Sequence, residues 1–390
     1  MSIYVGNKQA VIYKGDYEPA ALYKGEIKIA GYTEHEYQGT DIVAENTYRA
    51  ELGLKVYGKS TQNGVPNPEN PIPINSIGDS GSVDVVVTGK NLIPTNLAQD
   101  GISYNADTKR WKFEALSKYG IINVRIIDPN KGSCILPAGQ YTITTIDSQN
   151  MVYTTVSDIG NDWKTLATVK KTNTSVTFTL TKDTKIRIYI VPEDITQSGY
   201  VQVQLERGAT ATSYQPYREP QTLTINTPNG LCGIPVDTGG NYTDSTGQQW
   251  ICDEVDLERG VKVQRVYQVD IDGENTKFEQ RNVYVNLMPN GLPIAVIFGG
   301  QRIYAISTFT GLSWFYNSNN QFLYLIADNI SDQLNASCKK QLGKVYYALA
   351  TPIETPLTAA ELAAYKAIKS YPHYTHIQSA AEVKVKLKEY

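Results

Sequence analysis

Residues 200–217 read YVQVQLERGATATSYQPY, and this stretch decides the fold that the sequence predicts. Its first half alternates apolar and polar residues, which is typical of a half-buried β-strand. The apolar positions are Val201, Val203 and Leu205. Gly208 interrupts the alternation, and residues 214–217 form an exit corner. The stretch is therefore predicted to be the closing strand of a β-domain.

The composition predicts a mainly β, multi-domain protein. The chain has 390 residues, enough for two or three domains. Hydrophobic residues make up 41% of the chain, which permits a sizeable core. Tyr is frequent, with 28 residues, whereas His occurs only three times, so the usual general bases are scarce.

Charge and hydropathy patterns argue against several classes of protein. The formal charge is −3 with scattered Lys and Arg, which argues against nucleic-acid binding. No apolar run is long enough to span a membrane, and residues 1–10 lack the features of a secretory signal. The four cysteines, at 134, 232, 252 and 338, fit no zinc or redox motif and are expected to be free thiols.

Residues 1–58 are predicted to form a small N-terminal β module. A repeat of aromatic, any residue, Gly and polar residue begins at Tyr4, Tyr13 and Tyr23, at intervals of 9 and 10 residues. Each unit is predicted to be a short strand followed by a turn. These tyrosines are candidate contacts of a small docking module, completed by further copies in an oligomer, and the alternative is an ordinary β-meander.

Two segments follow this module. Residues 59–80 are rich in Pro and Asn and are predicted to be a semi-rigid, extended linker. Residues 81–218 are predicted to be a jelly-roll β-sandwich that opens with Val83, Val85 and Val87. Within it, residues 175–180 and 185–190 each have one apolar face and are predicted to form a hairpin.

The rest of the chain divides into a second β-sandwich-like domain, 219–356, and a C-terminal segment, 357–390. A helix is predicted over 359–371, with a capping box of Thr358 and Glu361 and with Pro372 beyond its end. The final strand carries lysines on one face, which predicts an exposed edge. Further predicted elements are strands at 222–226, 261–269, 282–287, 293–298, 301–306, 322–326 and 345–349 and a short helix at 332–343.

Catalytic and metal-binding groupings are weak. Residues 270–275 resemble a calcium loop in oxygen density but not in spacing, so an Asp-Gly turn is favoured. His373 and His376 are interpreted as surface residues, and the acids at 253, 254, 256 and 258 as a solvated face. We therefore predict no enzyme, no metal site and no cofactor.

Aromatic residues are the better candidates for a site, because exposed Trp and Tyr rings can stack on the apolar face of a sugar. The strongest candidates are Tyr153, Trp163, Trp314 and Tyr316, and further ones are Tyr104, Trp111, Tyr119 and Tyr324. The alternative for each is an ordinary place in the core.

Two motifs carry a resemblance to a known family. The pattern VQLE-x-G-x-x-AT-x-Y-x-PY of residues 203–217 resembles the closing strand of a carbohydrate-binding-module-like jelly roll. That jelly roll recurs in tail, baseplate and fibre proteins of phages, prophages and phage-tail-like particles of Gram-positive bacteria. The string GKSTQNGVPNPENPIPI at 58–74 and the phrase VYYALATPIETPL at 345–357 resemble segments of the same proteins.

The resemblance implies a minor structural protein of a virion tail or tail-like particle, assembled in the bacterial cytoplasm. Its implied partners are other tail or baseplate proteins, further copies of itself in a homotrimer, and a host cell-wall glycan, with no nucleic acid and no membrane. Two alternatives stay open. One is a pure tail scaffold without a ligand, because a fold alone does not define a function. The other is an enzyme that degrades wall polymers.

Overall fold

The protein is mainly β, with several sheets and one helix in the part of the chain that the structure describes. The structure is a computed structural model. It describes residues 32–63, 74–95, 102–114, 135–170, 174–270 and 344–389, together with the strand residues 3–5, 8–10, 22–24, 27–30, 98–99, 120–122, 276–279, 282–286, 312–317 and 322–327.

The first nine strands precede the strands that form the sandwich in the structure. They are β1 (Ile3–Val5), β2 (Lys8–Ala10), β3 (Leu22–Lys24), β4 (Ile27–Ala30), β5 (Thr33–Glu45), β6 (Gly53–Tyr57), β7 (Ser60–Gln62), β8 (Ile74–Ser76) and β9 (Gly81–Thr88).

The next eleven strands form the sandwich. They are β10 (Ala98–Gln99), β11 (Ile102–Asn105), β12 (Arg110–Phe113), β13 (Gly120–Ile122), β14 (Ile135–Leu136), β15 (Gly139–Gln149), β16 (Tyr153–Asp158), β17 (Lys164–Lys170), β18 (Thr174–Leu180), β19 (Thr184–Val191) and β20 (Gly199–Arg207).

The remaining elements follow the sandwich. They are β21 (Gln221–Thr227), β22 (Gly233–Val236), β23 (Tyr242–Thr243), β24 (Gln249–Cys252), β25 (Glu254–Asp256), β26 (Val261–Asp270), β27 (Thr276–Glu279), β28 (Asn282–Asn286), β29 (Leu312–Asn317), β30 (Phe322–Ala327), β31 (Lys344–Pro356), α1 (Ala359–Ala367) and β32 (Tyr374–Glu389).

The sandwich is a jelly roll. One sheet has the order β11-β12-β20-β15-β18, and the other has β10-β13-β19-β16-β17, with β14 beside β19. The chain crosses between the two sheets in the manner of a double Greek key. Apolar residues from the inner faces of both sheets fill one core, which includes Trp111, Phe113, Ile143, Ile188 and Val203. The jelly roll predicted from the sequence is confirmed.

The predicted hairpin within the sandwich is wrong. Both strands exist, as β18 and β19, and their apolar faces point inward as predicted. However, β18 pairs with β15 and β19 pairs with β13 and β16, so the two strands lie in opposite sheets. Alternation identifies the buried face of a strand but does not identify its partner, and the short connection here crosses the core.

The predicted edge strand is also wrong, because β32 lies inside the largest sheet, which we call the central sheet. Along one side it pairs with β5, and along the other side it pairs first with β9 and then with β6. The central sheet continues from β6 through β25 and β26 to β31. Its apolar core includes Leu54, Val56, Val85, Val383 and Val385, all fully or almost fully buried.

The lysines of β32 face acidic side chains of other strands, which explains why a charged face lies in the middle of a sheet. Lys386 Nζ lies 3.2 Å from Glu258, and Lys384 Nζ lies 3.7 Å from Glu36 of β5. Lys55 of β6 similarly pairs with Asp256 of β25 at 2.7 Å. Opposite charges on neighbouring strands stabilise such pairings, so this pattern favours the observed register.

The strand predicted to open the jelly roll belongs instead to the central sheet. β9 contains Val83, Val85 and Val87, and it pairs along its length with β21, from Gln221 opposite Val87 to Thr227 opposite Gly81. The jelly roll is therefore an insertion between two adjacent strands of the central sheet. The predicted linker also has structured ends, because β7 pairs with β8 and Ile74 is buried.

In the smaller sheets the structure confirms the strands predicted at the Tyr4 and Tyr23 repeats and at 282–287 and 322–326, whereas β22, β23, β24, β27 and β29 were not predicted. β1 pairs with β2 and β3 with β4, which places Tyr4 and Tyr23 in short antiparallel pairs. β22, β24 and β23 form one sheet, and β27, β28, β30 and β29 form another. Four predictions fall outside the described residues: Tyr13, the strands at 293–298 and 301–306, and the helix at 332–343. The loop 271–275 lies outside them as well.

Helix α1 has the predicted start but ends earlier than predicted. Thr358 and Glu361 form the capping box, with the Glu361 N–H donating to Thr358 Oγ1 at 3.2 Å. The helix ends at Ala367, because Ile368 is extended and its N–H bonds Tyr365 O. Tyr365 of the helix and Ile368 just beyond its end are buried in the central core.

Three of the four acids predicted to form a solvated face are buried, whereas Glu258 is exposed as predicted. Asp253, Glu254 and Asp256 expose 7% or less of their surface. Asp253 accepts backbone N–H bonds from Cys232, Arg265 and Val266 at 2.7–3.0 Å. Burial raises the pKa of Asp253 to about 6, and this effect outweighs the three N–H groups that favour the charged form. The acids serve as internal partners of the backbone and of basic residues.

This raised pKa predicts a pH-dependent stability that Asp253→Asn removes. Between about pH 4 and pH 6 the folded state binds more protons at Asp253 than the unfolded state, so this residue makes stability fall as pH rises. The free energy of unfolding of wild type minus that of Asp253→Asn should therefore decrease by about 2 to 3 kcal/mol from pH 4 to pH 7. Urea titrations across this pH range measure the difference in free energy of unfolding, and a difference that does not change with pH would contradict the prediction.

Candidate functional site

The stretch 200–217 folds back on itself, which explains its unusual polar residues. Gln204 and Glu206 point away from the sandwich core but are buried. Gln204 Oε1 accepts the Gln215 N–H at 2.7 Å, and Glu206 accepts the N–H and the hydroxyl of Thr212 at 3.0 and 2.6 Å. We call residues 208–217 the return loop. Alternation predicted a solvated face here, and the return loop covers it instead.

Glycine is required where the return loop begins. Gly208 has a φ of +108°, a conformation that side-chain-bearing residues rarely adopt. Its N–H donates to Gln140 O and its carbonyl accepts from Thr142 Oγ1, both at 2.7 Å. Further along, the hydroxyls of Tyr214 and Tyr104 lie 3.1 Å apart. The motif therefore has a structural role, which is to fold its own exit over the closing strand.

The exposed aromatic residue of the sandwich is Trp163, which lies in the turn between β16 and β17. Its surface is 51% exposed, and its φ of +58° is rare for a bulky residue. Asp162 before it is also left-handed, and the Gly160 N–H bonds the Asp158 carboxylate at 2.9 Å. A bulky residue held in such a conformation with half of its surface open is a reason to suspect a functional role.

The outer face of the β19–β16–β17 sheet supports the Trp163 ring. The Arg187 guanidinium lies 5.4 Å from the ring centre, within range of a cation–π interaction. The Tyr189 ring lies 6.1 Å from the Trp163 ring, tilted by 59°. Tyr189 is opposite Thr155, two residues from Tyr153, so Tyr153 lies on the same face. We call Tyr153, Trp163, Arg187 and Tyr189 the aromatic face.

The structure brings together two of the four strongest sugar-binding candidates. Tyr153 and Trp163 share the aromatic face, whereas Trp314 and Tyr316 belong to β29, in a different sheet. Two residues of the aromatic face, Arg187 and Tyr189, were not among the candidates. Their outward position followed from the alternation of β19, since Ile186, Ile188 and Ile190 are buried. The sequence did not predict the position of the turn that contains Trp163.

Trp111, one of the further sugar-binding candidates, lies in the core, which was the alternative considered for each aromatic residue. It is 2% exposed and makes an edge contact with Tyr104 at 5.3 Å. Tyr119 lies outside the described residues, and Tyr324 lies on β30 opposite Phe315. The docking candidates Tyr4 and Tyr23 are opposite Gln9 and Lys28 in their strand pairs.

One of the histidines interpreted as surface residues is buried at the junction of the jelly roll and the central sheet. His376 is 4% exposed, and its Nε2 lies 2.5 Å from Asp41 Oδ1. Asp41 also pairs with Arg207 of β20 at 2.6 Å. The pKa of Asp41 is lowered, chiefly by its hydrogen bond with His376. The interpretation missed this partner because Asp41 is more than 300 residues away in sequence.

Other chemistry was sought among the described residues. Cys232 and Cys252 are buried free thiols, as expected, and Cys134 and Cys338 lie outside the described residues. Within those limits, no three or more His, Cys, Asp or Glu residues are arranged to hold a metal ion. The helix that the structure describes has nine residues. Among the described residues, no helix is long and apolar enough to cross a membrane.

The aromatic face is therefore the best-formed candidate site for a ligand with flat apolar faces. It joins an exposed indole, two tyrosines and a guanidinium on a rigid sheet. Comparison with known proteins adds no relative, because no family model, no curated protein and no solved structure matches this chain.

Proposed function

We propose that the chain is a structural component of a phage tail, at the baseplate or on a fibre, whose jelly roll contributes to recognition of a host cell-wall glycan. The observation that carries the glycan part is the half-exposed Trp163, held on Arg187 and Tyr189. Indole and phenol rings stack on the apolar faces of sugars, and the guanidinium can bond their hydroxyls. The tail part depends on the sequence motifs that resemble phage tail proteins.

The proposal includes partners and a location. The N-terminal module, with Tyr4, Tyr13 and Tyr23, docks to other tail or baseplate proteins, and the chain assembles as a homotrimer in the virion or in a tail-like particle. Trp314 and Tyr316 on β29 provide a second aromatic surface for a glycan. The proposal includes no catalytic step. The main alternative is a scaffold without glycan affinity.

Replacing Trp163 is expected to weaken binding to the cell surface without unfolding the protein. Binding of the labelled full-length chain is measured on host-type cells, both intact and after chemical removal of wall polysaccharide. We expect saturable binding to intact cells, and Trp163→Ala should weaken it by about fivefold to tenfold, the usual worth of one aromatic contact. The full chain is needed because β5 and β6 pair with β32.

The matched control is Ile195→Ala, which removes another exposed apolar side chain of the jelly roll, 43% exposed. It should leave binding unchanged. Equal binding to stripped cells, or no binding by a folded wild-type protein of established oligomeric state, would contradict the glycan proposal and favour the scaffold. Hydrolysis of isolated wall polymer by the protein would favour the enzyme alternative.

A further inference from the structure

A cleft of about 520 Å³ lies between the jelly roll and the central sheet, and we call it the junction cleft. One wall consists of alternate residues of β5, namely Asp41, Val43 and Glu45. The opposite wall consists of the end of β20, the start of the return loop and the start of β15 at Gly139 and Gln140. This volume falls within the range of small-molecule sites, and junctions between domains are common places for them.

Lys90 supplies a buried cation to this cleft. Its side chain is only 10% exposed, and its ammonium lies 5.1 Å from the centre of the Tyr374 ring. In the described part of the chain its nearest carboxylate is Glu206, at 4.0 Å, which is beyond hydrogen-bonding distance. An ammonium has three N–H donors, and burying it without acceptors is costly. The geometry therefore leaves Lys90 able to donate to a molecule in the cleft.

The carboxylates of the cleft differ in their availability. Both oxygens of Glu206 accept from Thr212, and Asp41 is paired with Arg207 and His376. Glu45 is exposed at the rim of the cleft. The cleft thus combines a cationic donor at Lys90 with an acceptor at Glu45. A ligand that fits both must itself accept and donate hydrogen bonds, as a hydroxyl group does.

The balance of charge disfavours an anionic ligand. Three carboxylates and two cations, Lys90 and Arg207, line the cleft, which leaves one negative charge in excess. Val43 adds an apolar surface, since it is 44% exposed in the middle of the β5 wall. A neutral molecule with hydroxyls at its edges and C–H groups on its face satisfies all three features, and a pyranose ring has this form.

We propose that the junction cleft binds one neutral saccharide unit, with Lys90 donating to its hydroxyls, Glu45 accepting from them, and Val43 contacting its ring. This site is separate from the aromatic face and does not depend on it. A polymer chain reaching the jelly roll would therefore meet two sugar-binding surfaces of different chemistry, one open and one recessed.

The test is direct titration of the full-length protein with neutral monosaccharides, followed by calorimetry or by ligand-observed NMR. The panel contains glucose, galactose, mannose, rhamnose, N-acetylglucosamine and N-acetylgalactosamine. We expect at least one member to bind with a dissociation constant in the millimolar range or below. Glucose 6-phosphate should bind more weakly than glucose, because the cleft carries excess negative charge.

Two variants examine the cleft in different ways. Lys90→Met keeps a chain of similar length over Tyr374 but removes the donor, and it should weaken binding by about tenfold or more. Val43→Trp fills the cleft from an exposed position, so the fold tolerates it, and it should abolish binding. Lys112→Met removes an exposed lysine of β12 and should have no effect. Each titration is repeated in the Trp163→Ala background, which removes the aromatic face as a second site, and the cleft variants should have the same effects there.

The outcomes separate this proposal from the proposed function. Loss of monosaccharide binding on adding Lys90→Met or Val43→Trp to the Trp163→Ala background supports the junction cleft even if cell binding fails. Retention in both cleft variants, loss only in Trp163→Ala, or no binding of any panel member by the folded wild type would overturn it. If Lys90→Met fails to fold, the Val43→Trp titration alone tests the proposal.

Discussion

Val385→Asp is expected to unfold the central sheet while leaving the jelly roll folded. Val385 is fully buried in the middle of β32, opposite Leu54 on one side and Tyr37 on the other. A carboxylate at this position would lose the apolar contacts and would have no partner, so we expect a loss of at least about 4 kcal/mol. Calorimetry should show that the transition of the central sheet disappears, whereas the transition of the jelly roll remains.

The neighbouring residue provides the matched control. Lys384→Gln lies one position away on the opposite face, where the ion pair with Glu36 spans 3.7 Å and is partly exposed. It should cost no more than about 1 kcal/mol. If β32 were an exposed edge strand, the two substitutions would have similar and small effects. Similar stabilities for Val385→Asp and Lys384→Gln would therefore contradict the central position of β32.

Glu206→Ala is expected to release the return loop and to destabilise the jelly roll by about 3 kcal/mol. Glu206 is 1% exposed and accepts both donors of Thr212, which would lose their partner on substitution. The buried Lys90 would also lose its nearest opposite charge. Losing a buried charged acceptor costs this much because the remaining groups keep their desolvation penalty. Urea unfolding followed by far-UV circular dichroism measures the change.

Gln202→Ala is the control for this second prediction. Gln202 lies on the same strand and the same outward face, but it is only half-buried and bonds the Lys109 carbonyl at 3.2 Å. It should cost less than about 1 kcal/mol. Release of the return loop should appear as faster proteolysis within 208–217 in Glu206→Ala alone. Equal stability and equal proteolysis in the two variants would mean that Glu206 does not hold the return loop in place.

Local patterns predicted the position and buried face of many elements of the fold. The capping box located the start of α1 to the residue, because its hydrogen bonds involve neighbours in sequence. Alternation located the buried faces of β18, β19 and β20, because side-chain direction is a property of each strand alone. The jelly roll then followed from the number and spacing of such strands.

Strand partners could not be predicted in the same way. β32 pairs with β5 through Lys386 opposite Glu36 and Val385 opposite Tyr37, about 350 residues apart. A lysine-bearing face is equally typical of a solvated edge and of a sheet interior with acidic neighbours. The acids at 253, 254 and 256 were misjudged for the same reason, because their partners Lys55, Arg265 and Asn241 come from other strands.

The candidate site was predicted in part. Trp163 and Tyr153 were identified by residue type, but residue type did not separate the exposed Trp163 from the buried Trp111. Exposure depends on which sheet and which turn carries the ring, and that requires the fold. The junction cleft could not be predicted at all, since its walls come from residues near 41, 90, 140 and 207.

The insertion of the jelly roll between β9 and β21 sets the order in which the protein can fold as it is synthesised. All strands of the jelly roll lie between residues 98 and 207, so they can pair soon after they leave the ribosome. In contrast, β6 and β9 can first pair with β25 and β21, but β5 must wait for β32, more than 300 residues later. During this interval β5 lacks its partner strand and is open to pairing with other nascent chains. We expect its acidic residues to disfavour such pairing by like-charge repulsion until the lysines of β32 are available.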